Sequence, residues 1–392
     1  MKKNFTHIDC FAGPGGICTG LHASGFTTLA AIEYIKSCCD TYSANHPEVK
    51  VICSDIRKVQ FDDLKDVLPK DGVDLVTSGM PCETFSTAGN SSRSFYDDRQ
   101  VLYRQGIRMA KMCNAKLLLF ENVPAITSKR IAQDSDKLVV DMIKEELVEA
   151  GYGNFIEVVL DATDFGVPQR RKRFFILAAK NPNWHLFAPN PTHTKKVSVR
   201  EAFMGLPNVI PNSGVEGKVY TGEESEYSKL LKDDSFWNRT SSTPEITNHL
   251  PMKHRKCTLE RFELLRPGES LKSLFDRFSE DEKSELQRRK VLPKKMFIKR
   301  NYRLPLDETA PTVTSHCLDE FVHPLYNRAL TVRECARLQS FPDSYEFVGG
   351  PYIVPHIDRT TQDKYEQIGD AVPPLLAYAW GNIIKLILKE NG

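Results

Sequence analysis

Cys82 is preceded by proline in the run Gly79-Met80-Pro81-Cys82-Glu83-Thr84-Phe85-Ser86, and a lone cysteine in that setting is ordinarily an inert thiol. Two further segments change the reading. Phe120-Glu121-Asn122-Val123 closes one apolar run, and Pro168-Gln169-Arg170-Arg171-Lys172-Arg173 opens another. A thiolate, a carboxyl group and clustered guanidinium groups make a set suited to covalent catalysis, in which a nucleophile splits one hard step into two easier ones. A free thiol ionises near pH 8.5, and positive charge from Arg171 and Arg173 would favour the thiolate at lower pH.

A second set points to a nucleotide-like ligand. Phe11-Ala12-Gly13-Pro14-Gly15-Gly16 lies between an apolar run and an amphipathic one. Glycines there let the backbone turn sharply and let a ligand approach without Cβ atoms in the way. About twenty residues on, Glu33 ends the next apolar run, where an acid can bind both hydroxyls of a ribose. Tyr34 offers a ring for stacking on a purine, and Asp55 with Ile56 ends the run after that. Glycines, Glu-Tyr and Asp at the ends of three successive strands describe an adenosine pocket on the carboxyl edge of a parallel sheet. The glycines do not match GxGxxG, which weighs against a nicotinamide-dependent dehydrogenase.

The elements that must position these residues follow from periodicity. Residues 5–10, 28–32, 49–53, 73–77, 116–120, 155–160 and 174–179 read as strands, with helical patterns between several of them, such as 138–150. That alternation predicts βαβ units and a mostly parallel sheet with helices on both faces. After about Lys180 the texture changes: Pro182, Pro189, Pro191, Pro207 and Pro211 break the chain up. Ser279-Glu280-Asp281-Glu282 has the spacing of a capping box and should start a helix through Arg289. Eight Lys or Arg residues lie between Arg288 and Arg303 with no acid among them, either a solvated face or a phosphate-binding one. An apolar helix over 375–388 closes the chain.

Bulk properties set bounds. The 392 residues are 41% hydrophobic and 27% charged with net charge +2, so contact with nucleic acid has to come from local basic patches. The basic start, Met1 to His7, lacks the apolar region of a signal peptide, and no run approaches the roughly 18 consecutive apolar residues of a membrane span. The ten cysteines include no CxxC and no paired Cys/His spacing, which argues against a structural zinc site and a disulfide scaffold; no metal is expected. The expectation is a cytoplasmic protein with reduced, mostly buried thiols.

In order and spacing, the blocks FAGPGG, Glu33, Asp55, GMPCETFSTAG, FENV, PQRRKR, TVRECARLQSFPD (331–343) and IGDAVP (368–373) resemble the cytosine-5 DNA methyltransferase family, of the bacterial restriction-modification type. They span nearly the whole chain, and about 185 to 310 corresponds to the family's variable target-recognition region. The resemblance implies an α/β, S-adenosylmethionine-dependent methyltransferase sheet with a smaller target-recognition domain. Residues 1–184 would form the catalytic and cofactor domain, 185–361 the recognition domain with its hinge, and 362–392 a helix returning to the first. The DNA duplex would lie in the cleft between the two domains.

The same resemblance implies the roles. Cys82 would add to carbon 6 of a cytosine flipped out of the duplex, making carbon 5 nucleophilic. Glu121 would protonate or hydrogen-bond ring nitrogen 3, while Arg171 and Arg173 hold the base and orient that carboxylate. S-adenosylmethionine would be held by Phe11, Gly13, Gly15, Glu33, Tyr34, Asp55, Ile56, Pro81, Asp370 and Val372. DNA would meet Ser86 and Arg99 in the closing loop, and Lys294, Lys295, Lys299 and Arg300 in the basic run. The chain would act as a monomer, with a cognate restriction endonuclease as biological counterpart. Two positions depart from the family pattern: Glu83 stands where glutamine usually follows Pro-Cys, and Asp370 where asparagine is usual. The alternatives are an RNA methyltransferase of the same build and a DNA-binding module without catalysis.

Overall fold

The computed structural model describes residues 5–80, 102–131, 136–240, 245–295, 300–353 and 361–391. Pro81, Cys82, Ser86, Arg99 and Lys299, together with Glu83, lie outside the described residues.

The strands are β1 (Phe5–Cys10), β2 (Phe26–Glu33), β3 (Lys50–Cys53), β4 (Leu75–Ser78), β5 (Leu117–Asn122), β6 (Asn154–Asp161) and β7 (Lys172–Ala179). Between them run helices α1 (Gly16–Ala23), α2 (Lys36–Asn45), α3 (Tyr103–Met112) and α4 (Val139–Glu149). All seven strands expected from the sequence form one sheet, in the order β3-β2-β1-β4-β5-β7-β6. Every pairing is parallel except those of β7, which runs antiparallel to both β5 and β6.

Side chains alternate between two cores, as a strand's two-residue period demands. Leu117, Leu119, Phe175 and Leu177 enter one apolar cluster, while Leu118, Phe120, Phe174 and Ile176 enter the other. α3 and α4 contribute to the second cluster. The first takes α1 and the closing helix, and it also holds residues from Leu186 to Phe347. The apolar core is therefore not divided at residue 184.

The rest of the chain adds α5 (Val199–Phe203), α6 (Glu226–Lys232), α7 (Lys256–Leu264), α8 (Leu271–Arg277), α9 (Glu280–Arg288), β8 (Tyr302–Arg303), α10 (Cys317–Glu320), β9 (Phe321–Val322), α11 (Val332–Leu338), α12 (Lys364–Asp370) and α13 (Pro374–Asn391). The expected capping box starts α9, with Ser279 and Glu282 bonding reciprocally. α7 to α9 surround a separate small core of Phe262, Leu265, Leu271, Leu274, Leu286, Val291, Leu292 and Val322. α11 is anchored by two buried pairs, Arg328–Glu334 at 2.7 Å and Arg337–Asp343 at 2.6 Å. Removing one partner of such a pair leaves a buried charge and costs roughly 3–5 kcal/mol.

α13 is long and apolar enough, by length and composition, to cross a membrane. With α12 it has 67% of its most apolar 18-residue window buried, as expected of a core helix. Its partner is α1, and the contact is close because α1 carries glycines. A Cβ on Gly16 would lie 2.3 Å from the Val372 carbonyl oxygen, and one on Gly20 2.2 Å from that of Pro374. Gly16, expected to make room for a ligand, makes room for the returning C-terminal segment instead.

A buried polar chain crosses the middle of the sheet. Thr77 donates to Asp9 Oδ1 at 2.7 Å, so it accepts from His7 Nε2 at 2.8 Å. His7 Nδ1 then accepts from the Thr28 hydroxyl at 2.9 Å, and Cys18 donates to Thr28 at 3.3 Å. Burial pushes the His7 pKa down to about 3 and, acting first among its causes, pushes Asp9 up to about 7. An acid with a raised folded pKa stabilises the fold at low pH and loses that contribution as pH rises through the folded value. Asp9 should therefore make the protein less stable as pH rises from about 4 to about 7, by at most ~1.4 kcal/mol per pH unit. Urea titrations across pH 5–8 should show that the difference between wild type and Asp9→Asn follows this slope. A pH-independent difference would mean that Asp9 is ionised in the native protein throughout.

Candidate active site

The sheet order reverses between β1 and β4: β2 and β3 lie to one side of β1, β4 and β5 to the other. Crevices at such switch points are where open α/β sheets bind ligands, beyond the carboxyl ends of the strands. Register places Cys10 beside Ile32 and Ser78, and Ser78 beside Phe120. The glycine turn, Glu33, Gly79 and Glu121 thus follow one another along a single edge. At about 4.8 Å per strand, Glu33 and Glu121 are roughly 14 Å apart across the sheet. Because β7 runs antiparallel, its first residues reach this same edge, and Arg173 arrives beside Glu121.

At the cofactor end, the Glu33 carboxylate is 8% exposed and joins the turn to β2. Its Oε2 accepts from the Gly13 amide at 2.8 Å, and its Oε1 from the Tyr34 and Ile35 amides at 2.7 Å each. A carboxylate offers about four lone-pair sites, so one remains for a hydroxyl donor. Burial raises the Glu33 pKa, opposed by the three amide bonds. The Tyr34 ring is 54% exposed, and Ile56, just after β3, is buried. Phe11 has φ +57°, a left-handed conformation rare for a bulky side chain and a feature that clusters at functional sites. Around Gly13 the space is open among the described residues, with none of their atoms within 4 Å of where a Cβ would sit. The Asp55 carboxylate caps the following turn and pairs with Arg57 at 2.5 Å, which holds its pKa below the usual value. Val372 is buried against α1, and Asp370 accepts from Gln362 Nε2 at 2.8 Å.

At the chemical end, Arg173 Nε lies 2.8 Å from Glu121 Oε1. Burial raises the Glu121 pKa, and the Arg173 and then the Arg171 charges oppose it. Gly79 is adjacent, its virtual Cβ 3.6 Å from Glu121 Oε2. Asn122 Nδ2 donates to the Met80 carbonyl at 3.4 Å, so the end of β5 is tied to the strand end that leads toward Cys82.

Arg171 donates to backbone carbonyls of distant segments. It is 1% exposed, and Nη1 donates to Val313 O at 2.7 Å while Nη2 donates to Gly369 O and Ala371 O at 2.9 Å each. Arg173 is the ion-pair partner of Glu121, while Arg171 ties the IGDAVP block to this edge and its charge also acts on Glu121. Gln169 and Gln339, which sequence reasoning passed over, complete the clamp. Gln169 Nε2 donates to Leu338 O at 2.8 Å, its Oε1 accepts from Val313 N at 2.9 Å, and Gln339 Nε2 donates to Ile368 O at 2.7 Å. Their signal in the sequence was only their place inside the PQRRKR and TVRECARLQSFPD blocks.

The basic run does not form one face. Arg303 is buried, donating to the carbonyls of Leu265 at 3.0 Å and His323 at 2.8 Å. Arg288 pairs with Glu285, Arg289 with Glu260 and Arg300 with Asp319. Lys294 and Lys295 are exposed.

The family model described as C-5 cytosine-specific DNA methylase matches residues 5–386. Type II methyltransferase M.DdeI of Desulfomicrobium norvegicum is 33% identical, over 95% of this chain and 86% of that protein. Type II methyltransferase M1.HphI of Haemophilus parahaemolyticus is 32% identical, over 99% and 88%. Among solved structures, a DNA modification methyltransferase encoded within a prophage (E. coli) superimposes with a TM-score of 0.71 at 23% identity, covering 98% of this chain and all of that one. The Dnmt2 methyltransferase of S. pombe gives 0.52 at 16%, covering 99% of each.

Proposed function

This chain belongs to the C-5 cytosine-specific DNA methylase family, and we propose that it methylates carbon 5 of a flipped-out cytosine in a specific duplex sequence through a Cys82 adduct. It is a cytosine-5 DNA methyltransferase of the restriction-modification type. The observation that carries the finer reading is the Glu121–Arg173 pair on the sheet edge that leads from Met80 toward Cys82.

S-adenosylmethionine fits the other end of that edge. Space above Gly13 that is open among the described residues, a buried carboxylate with a remaining acceptor site and an exposed Tyr34 ring suit a ribose diol and a purine. Phe11, Gly15, Asp55, Ile56, Pro81, Asp370 and Val372 complete the assignment. When bound, the cofactor supplies an electrophilic methyl group. Tyr34→Ala should weaken cofactor binding by about tenfold, the scale of removing one ring from the pocket, without altering thermal stability, since the ring is largely exposed. Equal affinity by calorimetry would remove Tyr34 from the purine site.

The Cys82 thiolate adds to carbon 6 of the base, and Glu121 delivers a proton to ring nitrogen 3 as charge builds there. Carbon 5, now enamine-like, takes the methyl group. Loss of the carbon 5 proton and elimination of Cys82 return the thiolate, and the proton on ring nitrogen 3 goes back to Glu121. Attack perpendicular to the ring is impossible within a stacked duplex, so the base is flipped out. Ser86 and Arg99 meet the DNA as the site closes.

Catalysis and cofactor binding belong to residues 1–184 with 362–392, and recognition to 185–361, within which the α7–α9 core stands apart. The duplex lies between them. A cognate endonuclease is the expected biological counterpart; the enzyme acts as a cytoplasmic monomer, nucleoid-associated if its source is bacterial. Replacing Lys294, Lys295 and Lys299 by Ala should flatten the salt dependence of DNA binding, by roughly 0.9 in log–log slope for each phosphate no longer neutralised. An unaltered slope would make them solvated side chains only. With Arg300 paired to Asp319, its removal should have the smaller effect.

The whole reading is tested by trapping. Duplexes bearing 5-fluorocytosine in varied contexts, with S-adenosylmethionine, should give a denaturation-resistant protein–DNA adduct that Cys82→Ala cannot form. No adduct in any context, with DNA binding intact, would favour a binding module without catalysis; adducts on RNA alone would favour the RNA enzyme.

A further inference from the structure

Cys18 and His22 stand four residues apart on α1, so they share one face of the helix. The end of α2 brings His46 to that face, and a ligand atom of each of the three lies within 4.8 Å of those of the other two. Cys18 and His46 are buried, and His22 is 12% exposed. Glu48 closes the outer side: its Oε1 is 3.4 Å from His22 Nδ1 and 3.8 Å from His46 Nδ1. Both distances exceed the 2.7–3.2 Å of a good hydrogen bond. The first approximates the edge of a tetrahedron around an ion with bonds of about 2.0–2.1 Å, which is roughly 3.3 Å, and the second is somewhat longer.

The hydrogen bonds around the cluster give His46 a definite tautomer. Thr19 donates its only hydroxyl proton to Gly15 O at 2.8 Å, so at 3.2 Å it accepts from His46 Nε2. A neutral His46 then turns a bare Nδ1 lone pair toward a carboxylate, an acceptor facing an acceptor, which a cation between them would satisfy. Outer contacts suited to a metal site are also present, with Thr19 holding the second His46 nitrogen and Thr28 beside the Cys18 sulfur.

We propose that Cys18, His22 and His46, with Glu48 completing the set, form a site for one divalent ion of the zinc class, which staples α1 to the end of α2 beneath the glycine turn. Thiolate, imidazole and carboxylate together select such a borderline ion over magnesium or calcium. Ligation requires the Cys18 thiol to give up its proton. The proton is released to solvent as the metal binds. The thiolate is then left to the metal, and no charge is lost or created.

Cobalt(II) is the probe, added to the chelator-treated full-length protein. One equivalent should give a thiolate-to-cobalt charge-transfer band and tetrahedral visible bands, both abolished by added zinc(II). The charge-transfer band should vanish in Cys18→Ser and persist in Cys53→Ser and Cys82→Ala. His22→Gln, at a half-open position, should keep the fold and weaken cobalt binding by more than about tenfold, the low end of what losing even an outer-shell partner costs. The proposal is overturned if wild type shows no charge-transfer band, if the band survives in a folded Cys18→Ser protein, or if His22→Gln binds cobalt as tightly as wild type. Should Cys18→Ser fail to fold, the His22→Gln affinity decides alone.

Discussion

Cys82→Ala should lower methyl transfer by at least about 10⁴-fold while changing duplex affinity little. In energy that is about 5.5 kcal/mol of barrier, the scale expected when a nucleophile that opens a covalent route is removed. The residual groups, Glu121 and Arg173, can still polarise the ring but cannot make carbon 5 nucleophilic. Binding should persist because contacts to phosphates and base edges come from other parts of the chain. The decisive pair of measurements is single-turnover methylation with tritiated cofactor and a gel-shift titration on the same duplex. Retained turnover would remove Cys82 from the mechanism, and lost binding in a folded variant would give it a different role.

Glu121→Gln should slow methylation by about 10²–10⁴-fold, the usual value of a positioned general acid. The amide matches the carboxyl in shape and keeps an oxygen for Arg173, which now lies 2.8 Å from Oε1, so the site should stay assembled. What is lost is the proton. The position suits an acid: burial raises the Glu121 pKa while the two arginines restrain the rise, so the protonated form persists to higher pH than for an ordinary glutamate. In wild type, kcat/KM should therefore fall on the alkaline side as Glu121 ionises, and in Glu121→Gln that limb should be absent. A variant with the wild-type rate, or with the same alkaline limb, would assign the proton to another group.

The seven strands were legible because strands covered on both faces read as short, nearly continuous apolar runs, such as 117–120 and 174–179. The chemical groups were legible because each sits in a short block at a strand end: the glycine turn after β1, Glu33 at the end of β2, Glu121 near the end of β5. Local order along the chain is enough to recognise such blocks. It is also enough to place them on one edge, provided the strands are parallel.

Other features depend on what distant segments bring, and sequence spacing carries no such information. Arg171 and Arg173 read alike as cations two residues apart, yet the packed chain brings one to three backbone carbonyls and the other to Glu121. Arg303 belongs by composition to a basic run and by position to a core, because the carbonyls of Leu265 and His323 need a donor there. Gly16 and Gly20 serve a helix that begins more than 350 residues later. The Cys18, His22 and His46 cluster matches no zinc-module spacing, since α2 supplies its third member only after the sheet has folded the two helices together. The sequence by itself determined the strands, the family and the blocks that carry the proposed reacting groups. Tertiary structure alone decided which charges are clamped, which are paired and which face one another, because burial and approach distance are set by the packed chain.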